Sequence, residues 1–434
     1  MKSIADQYDH NTSRSVDYVA SSALPQTAPQ NPAARYIAYY LPQFHAIPEN
    51  DEWWGPGFTE WTNVSKALPR YVGHYQPRLP GELGFYDLSN ITTLRKQAEL
   101  AKRGGIYGFC IHNYWFSGKP ILESPLKLLH ENKDIDVRFC LNWANETWSR
   151  RWDGSESHIL IKQNHAPGED VQYAEYITPF VRDERYIRIN GRPLIMLYRP
   201  GLLPDAKATV ERWRSYFEKQ GLGNPYIIMP QAFGDNDPRV YGMDAVAGFP
   251  PHHVAIGMRD IRRYLRYLDP RFAGRVGAYD QLVEQAIANT ADGYTLMPGV
   301  CPQWDNDARR PNLSRSFTGS SPLKYAHWLE AASRQTMKAP TADERVVFIN
   351  AWNEWAEGAY LEPDRHYGSA YLSQTRRVLD SLAAGDAPQH LNGHSHARSE
   401  SANVLENPPV SRVNFLKNVP LLAGRKLRRK LKGH

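Results

Sequence analysis

Two carboxylates three residues apart, Glu354 and Glu357, carry the densest chemistry in the chain. They lie in residues 346–364, VVFINAWNEWAEGAYLEPD, among Asn350, Trp352, Asn353 and Trp355 and just before Gly358. On a helical turn, positions i and i+3 share a face. Two carboxylates so close do not both ionise freely, so one pKa rises and sets an acid beside a base. Glycosidic bond cleavage uses that division of labour. The alternative is a solvated Glu pair opening a helix, with both indoles packed inside. Against it stands the preceding run, Val346-Val347-Phe348-Ile349, which has the β-branched character of a buried parallel strand. A buried strand that breaks into amides, carboxylates and indoles presents them at its C-terminal edge.

The rest of the chain supplies the elements to position such an edge. Apolar, strand-like runs begin near Tyr36, Gly105, Val137, Leu194, Tyr226, Ala245, Tyr294 and Val346, and stretches of helical periodicity separate most of them. One such helix is capped by Asn90 and buries Leu94, Ala98 and Ala101. The alternation predicts an α/β fold, a (β/α)8 TIM-type barrel with long βα loops. No GxGxxG turn follows an early strand, which weakens a doubly wound nucleotide-binding alternative. Residues 1–34, rich in Ser, Ala, Asn and Pro, read as a disordered lead-in. The barrel is expected over 35–383, a linker over 384–412 and a basic amphipathic tail over 413–434.

In such a barrel the working residues sit at the C-terminal ends of several strands. Those ends give His45, Glu60, His112, Tyr114, Trp115, Asn142, Trp143, Asn145, Glu146, Asp305, Asp307, Asn353, Glu354, Trp355 and Glu357. Indole faces stack on sugar CH surfaces, while amides and acids bind hydroxyls. Three segments share a Trp–Glu–Asn composition, around Glu60-Trp61, Trp143 to Trp148, and Trp352 to Trp355. Each alone reads equally as a packed aromatic loop. Together at one barrel face they read as a carbohydrate site.

Other chemistries are weaker. His45, His112 and the His252-His253 pair lack HxxxH or HExxH spacing, so no metal and no cofactor are expected. Asp-x-Asp occurs twice, at Asp235-Asn236-Asp237 and Asp305-Asn306-Asp307. It suits a divalent ion on a nucleotide-sugar diphosphate, and it is also ordinary turn chemistry. No GxSxG elbow supports a serine nucleophile. The formal charge of +6 is concentrated in residues 425–434, so the body is near neutral and nucleic acid is not an indicated partner. The tail suits an anionic membrane surface and equally a solvated terminus. Three cysteines, an odd number, with two inside apolar runs, fit buried thiols in a reducing compartment. With no apolar leader in the first 34 residues, the expected location is cytoplasmic, at most peripheral on the inner membrane.

The motif Asn353-Glu354-Trp355-Ala356-Glu357-Gly358 resembles the catalytic signature of glycoside hydrolase family 99, the endo-α-mannosidases. A wider set resembles the WbsX-type, family 99-like proteins of O-antigen and capsule gene clusters. It comprises Tyr40-Leu41-Pro42-Gln43-Phe44-His45, Gly57-Phe58-Thr59-Glu60-Trp61, His112-Asn113-Tyr114-Trp115-Phe116, Asn142-Trp143-Ala144-Asn145-Glu146 and Trp304-Asp305-Asn306, over about residues 35–382. The resemblance implies a (β/α)8 barrel acting on α-linked glycans in surface-polysaccharide biosynthesis. It implies that Glu354 acts as base on a sugar 2-hydroxyl, giving a 1,2-anhydro sugar, and that Glu357 is the general acid/base. The partner expected is an oligosaccharide or polysaccharide. Two further readings stand beside it: a WbsX-type glycosyltransferase using a nucleotide-sugar, and a non-catalytic polysaccharide-binding barrel.

Overall fold

In a computed structural model of the chain, residues 3–150, 155–291 and 293–385 are described. Eight strand positions form a parallel barrel: β1 (Arg35–Tyr40), β2 (Ile106–Phe116), β3 (Arg138–Trp143), β4 (Arg192–Leu197), β5 (Tyr226–Gln231), β6 (Ala245–Gly248), β7 and β8 (Val346–Ile349). β7 comes in two pieces, Thr295–Met297 and Gly299–Val300, joined at Pro298. The first piece pairs with β6 and the second with β8, so the kink carries the chain from one edge of the sheet to the other. The crossing needs glycine twice. A Cβ on Gly248 would stand 2.2 Å from the Gly299 nitrogen, and one on Gly299 would stand 2.3 Å from the Gly248 oxygen.

The helices are α1 (Ile4–Thr12), α2 (Pro48–Trp54), α3 (Glu60–Ser65), α4 (Ile91–Arg103), α5 (Ser124–Glu131), α6 (Glu169–Val181), α7 (Ala206–Lys219), α8 (Tyr279–Ala288), α9 (Pro322–Thr336) and α10 (Ala370–Ala384). The sequence places most of them within a few residues, and Asn90 caps α4 as expected, its side chain accepting from Thr92 N. The alternation lapses after β5, where only a 3-10 turn at Pro238–Tyr241 leads to β6. Among the described residues no helix is long and apolar enough to cross a membrane.

The barrel interior follows the two-residue period of its strands. Cys110 and Cys140 are register partners on β2 and β3, and one pleat further on His112 pairs with Asn142. All three cysteines are free and buried, and burial pushes the Cys110 thiol well up.

Residues 3–34 are not the disordered lead-in their composition suggests. Ser3 and Asp6 close a reciprocal cap on α1. The helix buries amides rather than apolar side chains. Asn11 donates to the His74 and Gln76 carbonyls at 2.7 and 2.8 Å, and Gln7 Oε1 accepts from Gly73 N at 2.8 Å. Further on, Arg103 donates to the Ser21, Leu24 and Pro25 carbonyls. Hydrogen bonds tie this segment down, which a hydropathy pattern does not reveal. The expected linker, 384–412, starts slightly early, since α10 runs to Ala384 and Gly385 caps it; the rest of it and the basic tail, from residue 386 onward, lie outside the described residues.

Candidate active site

The strand-end motif folds into a tight hairpin rather than a helix. Asn353–Glu354 pairs antiparallel with Ala359–Tyr360 across the 3-10 turn Trp355–Glu357. Asn353 fixes it to the end of β1, accepting from Leu41 N at 2.7 Å and donating to Leu41 O at 2.9 Å. Trp355 stacks on Tyr360 at 3.8 Å and donates to Glu362 at 2.6 Å. Gly358 ends the turn at φ 61°, where a Cβ would stand 2.7 Å from Arg78 Nε. That approach is possible only for glycine.

The turn points Glu354 and Glu357 at one guanidinium, that of Arg309. Arg309 Nη2 bonds Glu354 at 2.5 Å, Nη1 bonds Glu357 at 2.8 Å, and Nε bonds Glu60 at 3.2 Å. Three carboxylates around one cation leave excess negative charge in a buried site. Burial raises the Glu354 carboxyl well above its ordinary value, Arg309 opposes the shift, and Glu357 and Glu60 add to it. Burial raises Glu357 as well, again against Arg309. The expectation of one raised carboxyl is thus exceeded: both rise, chiefly from lost hydration rather than mutual repulsion.

The pair lies on a cleft of about 430 Å³ at the C-terminal ends of the strands. Tyr39, Trp54, Tyr114, Trp148, Tyr198 and Phe249 give it aromatic walls. His112 lines it too, its pKa lowered to about 4 by burial and by Arg309. Asn142 Nδ2 donates to His112 Nδ1 at 3.1 Å, which puts the single ring proton on Nε2. At neutral pH His112 is therefore an uncharged N–H donor. Gln43 donates to Tyr114 Oη at 2.9 Å, leaving that hydroxyl proton for another acceptor. A larger concavity, about 600 Å³, lies between α8, α9 and β7, lined by residues such as Trp328, Pro298 and Ala286 and by neither carboxylate.

Of the residues chosen from the sequence, Glu354, Glu357, His112, Tyr114 and Glu146 line the cleft. Glu60, Asn142 and Asn353 stand behind it and hold Arg309, His112 and the hairpin. The others are elsewhere. Alternation sends Trp115 and Trp143 outward from the barrel, against each other and Tyr173, with Trp143 stacked on Tyr173 at 4.4 Å. Trp61 and Trp355 pack together in the core at 5.5 Å. His45 is buried and held neutral by desolvation. Asn145 ties its loop to the next through the Arg199 backbone, and Trp304 is buried against His252.

Asp305 and Asp307 are framework. Asp305 accepts from His74 Nε2 at 2.7 Å and Gln76 Nε2 at 2.8 Å, and Asp307 accepts from Arg70 at 2.8 Å. The Asp305 backbone donates to the Glu357 carbonyl at 2.7 Å. The loop 70–76, which α1 clamps, thus supports the loop that carries both the Glu357 contact and Arg309. Asp235 and Asp237 are likewise taken, by Tyr241 and by Arg239. Neither Asp-x-Asp is open for a cation, and no group of three or more His, Cys, Asp or Glu among the described residues is arranged to hold a metal.

The sequence reading missed Arg309, Tyr39, Gln43 and Tyr198. Tyr198 follows β4 directly, so the same strand-end criterion finds it. Arg309 lies in a loop among polar residues and carries no local signal.

A parallel (β/α)8 barrel with paired carboxylates in an aromatic cleft at its C-terminal rim has the layout of the catalytic barrels. A family model described as glycosyltransferase WbsX matches residues 36–375. The chain belongs to the WbsX glycosyltransferase family. An uncharacterized protein, WxcX, of Xanthomonas campestris pv. campestris (strain B100) is 44% identical over 359 residues, 83% of this chain and 51% of the relative. Its counterpart in strain ATCC 33913 is 44% identical over 357 residues, so the chain spans about half the length of these relatives. Among solved structures, a glycoside hydrolase-like protein aligns over 83% of this chain and 99% of its own, at 15% identity and a TM-score of 0.51, which supports the fold. The family 99 endo-α-mannosidase of Bacteroides thetaiotaomicron aligns over 81% of this chain and 98% of its own, at 14% identity and a TM-score of 0.49.

Proposed function

We infer that the chain cleaves or transfers at α-linked glycosidic bonds during the making of a surface polysaccharide, with Glu354 and Glu357 as the working pair. The observation that carries this is the convergence of both carboxylates, through Arg309, on the cleft with the aromatic walls. Aromatic faces suit sugar rings, and the neutral N–H of His112 and the hydroxyl of Tyr114 suit sugar hydroxyls. Glu357, the more exposed side chain at 23% against 11% for Glu354, is the better placed to meet a leaving oxygen. Its raised pKa keeps a proton available for that oxygen.

In the scheme the family 99 resemblance implies, Glu354 in its ionised form takes the proton of the sugar 2-hydroxyl; that form is the minor one at neutral pH, because burial pushes the carboxyl up to about 8. That oxygen attacks C1 as the bond to the leaving oxygen breaks, and Glu357 protonates the leaving group. Glu357, now ionised, then takes a proton from water or from another sugar hydroxyl as that oxygen bonds C1, the C1–O2 bond of the 1,2-anhydro ring breaks, and Glu354 returns its proton to the 2-oxygen. The buried free thiols fit a cytoplasmic setting and an intermediate not yet exported.

The second reading, transfer from a nucleotide-sugar, draws on the description of the family. With both Asp-x-Asp motifs occupied by side chains of this protein, it requires a diphosphate site elsewhere.

Calorimetric titration of the Glu357→Gln variant with a panel of α-linked oligosaccharides tests the glycan reading. Saturable heat with at least one of them, reduced about tenfold or more by Trp148→Ala or His112→Ala, is the expected outcome. Absence of heat across a panel varied in sugar and linkage would contradict it.

A further inference from the structure

The loops that follow β6 and β7 present a surface that is both cationic and apolar. Between Ala255 and Val276 stand six arginines against two acids. Both acids are taken, Asp260 by Arg262 at 2.9 Å and Asp269 by Arg70 and Arg271 at 2.9 and 3.0 Å. Among the described residues, no carboxylate pairs with Arg259, Arg263, Arg266, Arg275 or Arg310, and all five are exposed. The same surface leaves apolar side chains in water. Ile256 is 70% exposed and Leu313 61%, and Tyr264 and Tyr267 are exposed as well.

The fold gathers these residues into one face. A parallel ribbon, Arg275–Ala278 with Arg315–Thr318, joins the two loops. Ala273 N donates to Asn312 O at 2.8 Å, Arg262 to the Ala273 carbonyl at 2.9 Å and Arg315 to the Ala255 carbonyl at 2.6 Å. Tyr264 accepts from Arg259 through its hydroxyl and lies under the Arg263 guanidinium at 4.7 Å. Arg310 belongs to this face and also lines the cleft that holds Glu354 and Glu357. Leu313 is one turn away, its N–H bonded to the Arg310 carbonyl at 3.0 Å. The face and the mouth of the cleft therefore adjoin.

A single exposed Leu or Ile is ordinary, but aliphatic tips set among unpaired cations point to a partner that uses both. A soluble polyanion would draw on the charge and leave Ile256 and Leu313 in water. An anionic bilayer takes the whole set: guanidinium groups meet lipid phosphates, Tyr rings sit at headgroup level and aliphatic tips enter the acyl boundary.

We propose that this face, Ile256 to Arg275 with Arg310 and Leu313, docks the protein on an anionic membrane surface. On the glycan reading, docking sets the mouth of the cleft at headgroup level, where a glycan anchored in lipid presents its sugars. The docking itself does not depend on that reading.

The test uses the full chain and vesicles of phosphatidylcholine with or without phosphatidylglycerol. Residues 425–434 are basic too, so the readout must be local. All three native cysteines are buried, so an environment-sensitive thiol dye marks Ile256→Cys alone. Its emission should shift to the blue when phosphatidylglycerol is present. The same dye at Glu218→Cys, exposed near the C-terminal end of α7 at the opposite end of the barrel, should not respond. Arg263→Gln/Arg266→Gln should weaken co-sedimentation with the mixed vesicles about tenfold or more at low salt. An unresponsive dye at position 256 overturns the proposal, and so does binding unchanged in the double variant. Saturable binding of dextran sulfate without vesicle binding also overturns it and assigns the face to a soluble polyanion. No glycan is present in these measurements, so the glycan reading stands or falls separately.

Discussion

Replacement of Glu357 by Gln is expected to lower turnover by about 10²- to 10⁴-fold, the range associated with one general acid/base, while glycan affinity changes little. The amide keeps the size and hydrogen-bonding reach of the carboxyl but neither gives up nor takes up a proton at neutral pH. Arg309 keeps Glu60 and Glu354 as partners, so the fold is not the reason for the loss. Glu354→Gln is expected to fall by a similar factor, because in the proposed scheme it removes the base. Steady-state rates set beside calorimetric dissociation constants for each variant separate chemistry from binding. A variant that turns over at the wild-type rate would leave the cleft as a binding site alone.

Arg309→Leu has the largest expected effect on stability. Removing one partner from a buried ionic cluster costs about 3–5 kcal/mol, because the remaining charges stay desolvated and unpaired. Here three carboxylates lose the same cation. The cost should depend on pH, and its sign is fixed. Glu354 and Glu357 already have raised pKa values in the folded protein, and loss of Arg309 raises them further. Above the ordinary carboxylate value of 4.5 the unfolded chain has released protons that the folded chain still holds. Folding then takes up protons, so stability falls as pH rises through the window between 4.5 and the raised values. The variant should lie close to wild type near pH 5 and lag most at pH 8, by denaturant midpoint. An equal deficit at both values would mean that Arg309 does not govern these carboxylates.

The barrel was legible because its signals are local. Each strand is an apolar run with polar punctuation, and the run before Glu354 reads directly as β8. The site was legible only in part. Strand ends draw attention to His112, Tyr114 and Glu357, yet a list of strand ends mixes both faces. The two-residue period sorts them: Cys110, His112 and Tyr114 face inward, whereas Trp115 faces the helices. The same holds on β3, where Asn142 faces His112 and Trp143 stacks on Tyr173. Indoles next to carboxylates suggested sugar stacking, but several of those indoles pack the framework behind the site.

What no local pattern carried was long-range. Arg309 reaches Glu60 across 249 positions. Asn11 reaches the carbonyls of His74 and Gln76, whose side chains hold Asp305, which in turn meets Glu357. These are hydrogen bonds between polar residues distant in sequence, and composition reads such residues as solvated. The Asp-x-Asp at 305–307 misleads for the same reason: its carboxylates are spent on Arg70, His74 and Gln76.

The most direct measurement is incubation of the full chain with dye-labelled α-linked oligosaccharides in the absence of any nucleotide-sugar, with products resolved by size. Shortened or rearranged oligosaccharides are expected with wild type and none with Glu357→Gln. Products that form only when a nucleotide-sugar is added, and that persist in Glu357→Gln, would contradict the proposed role of the Glu pair.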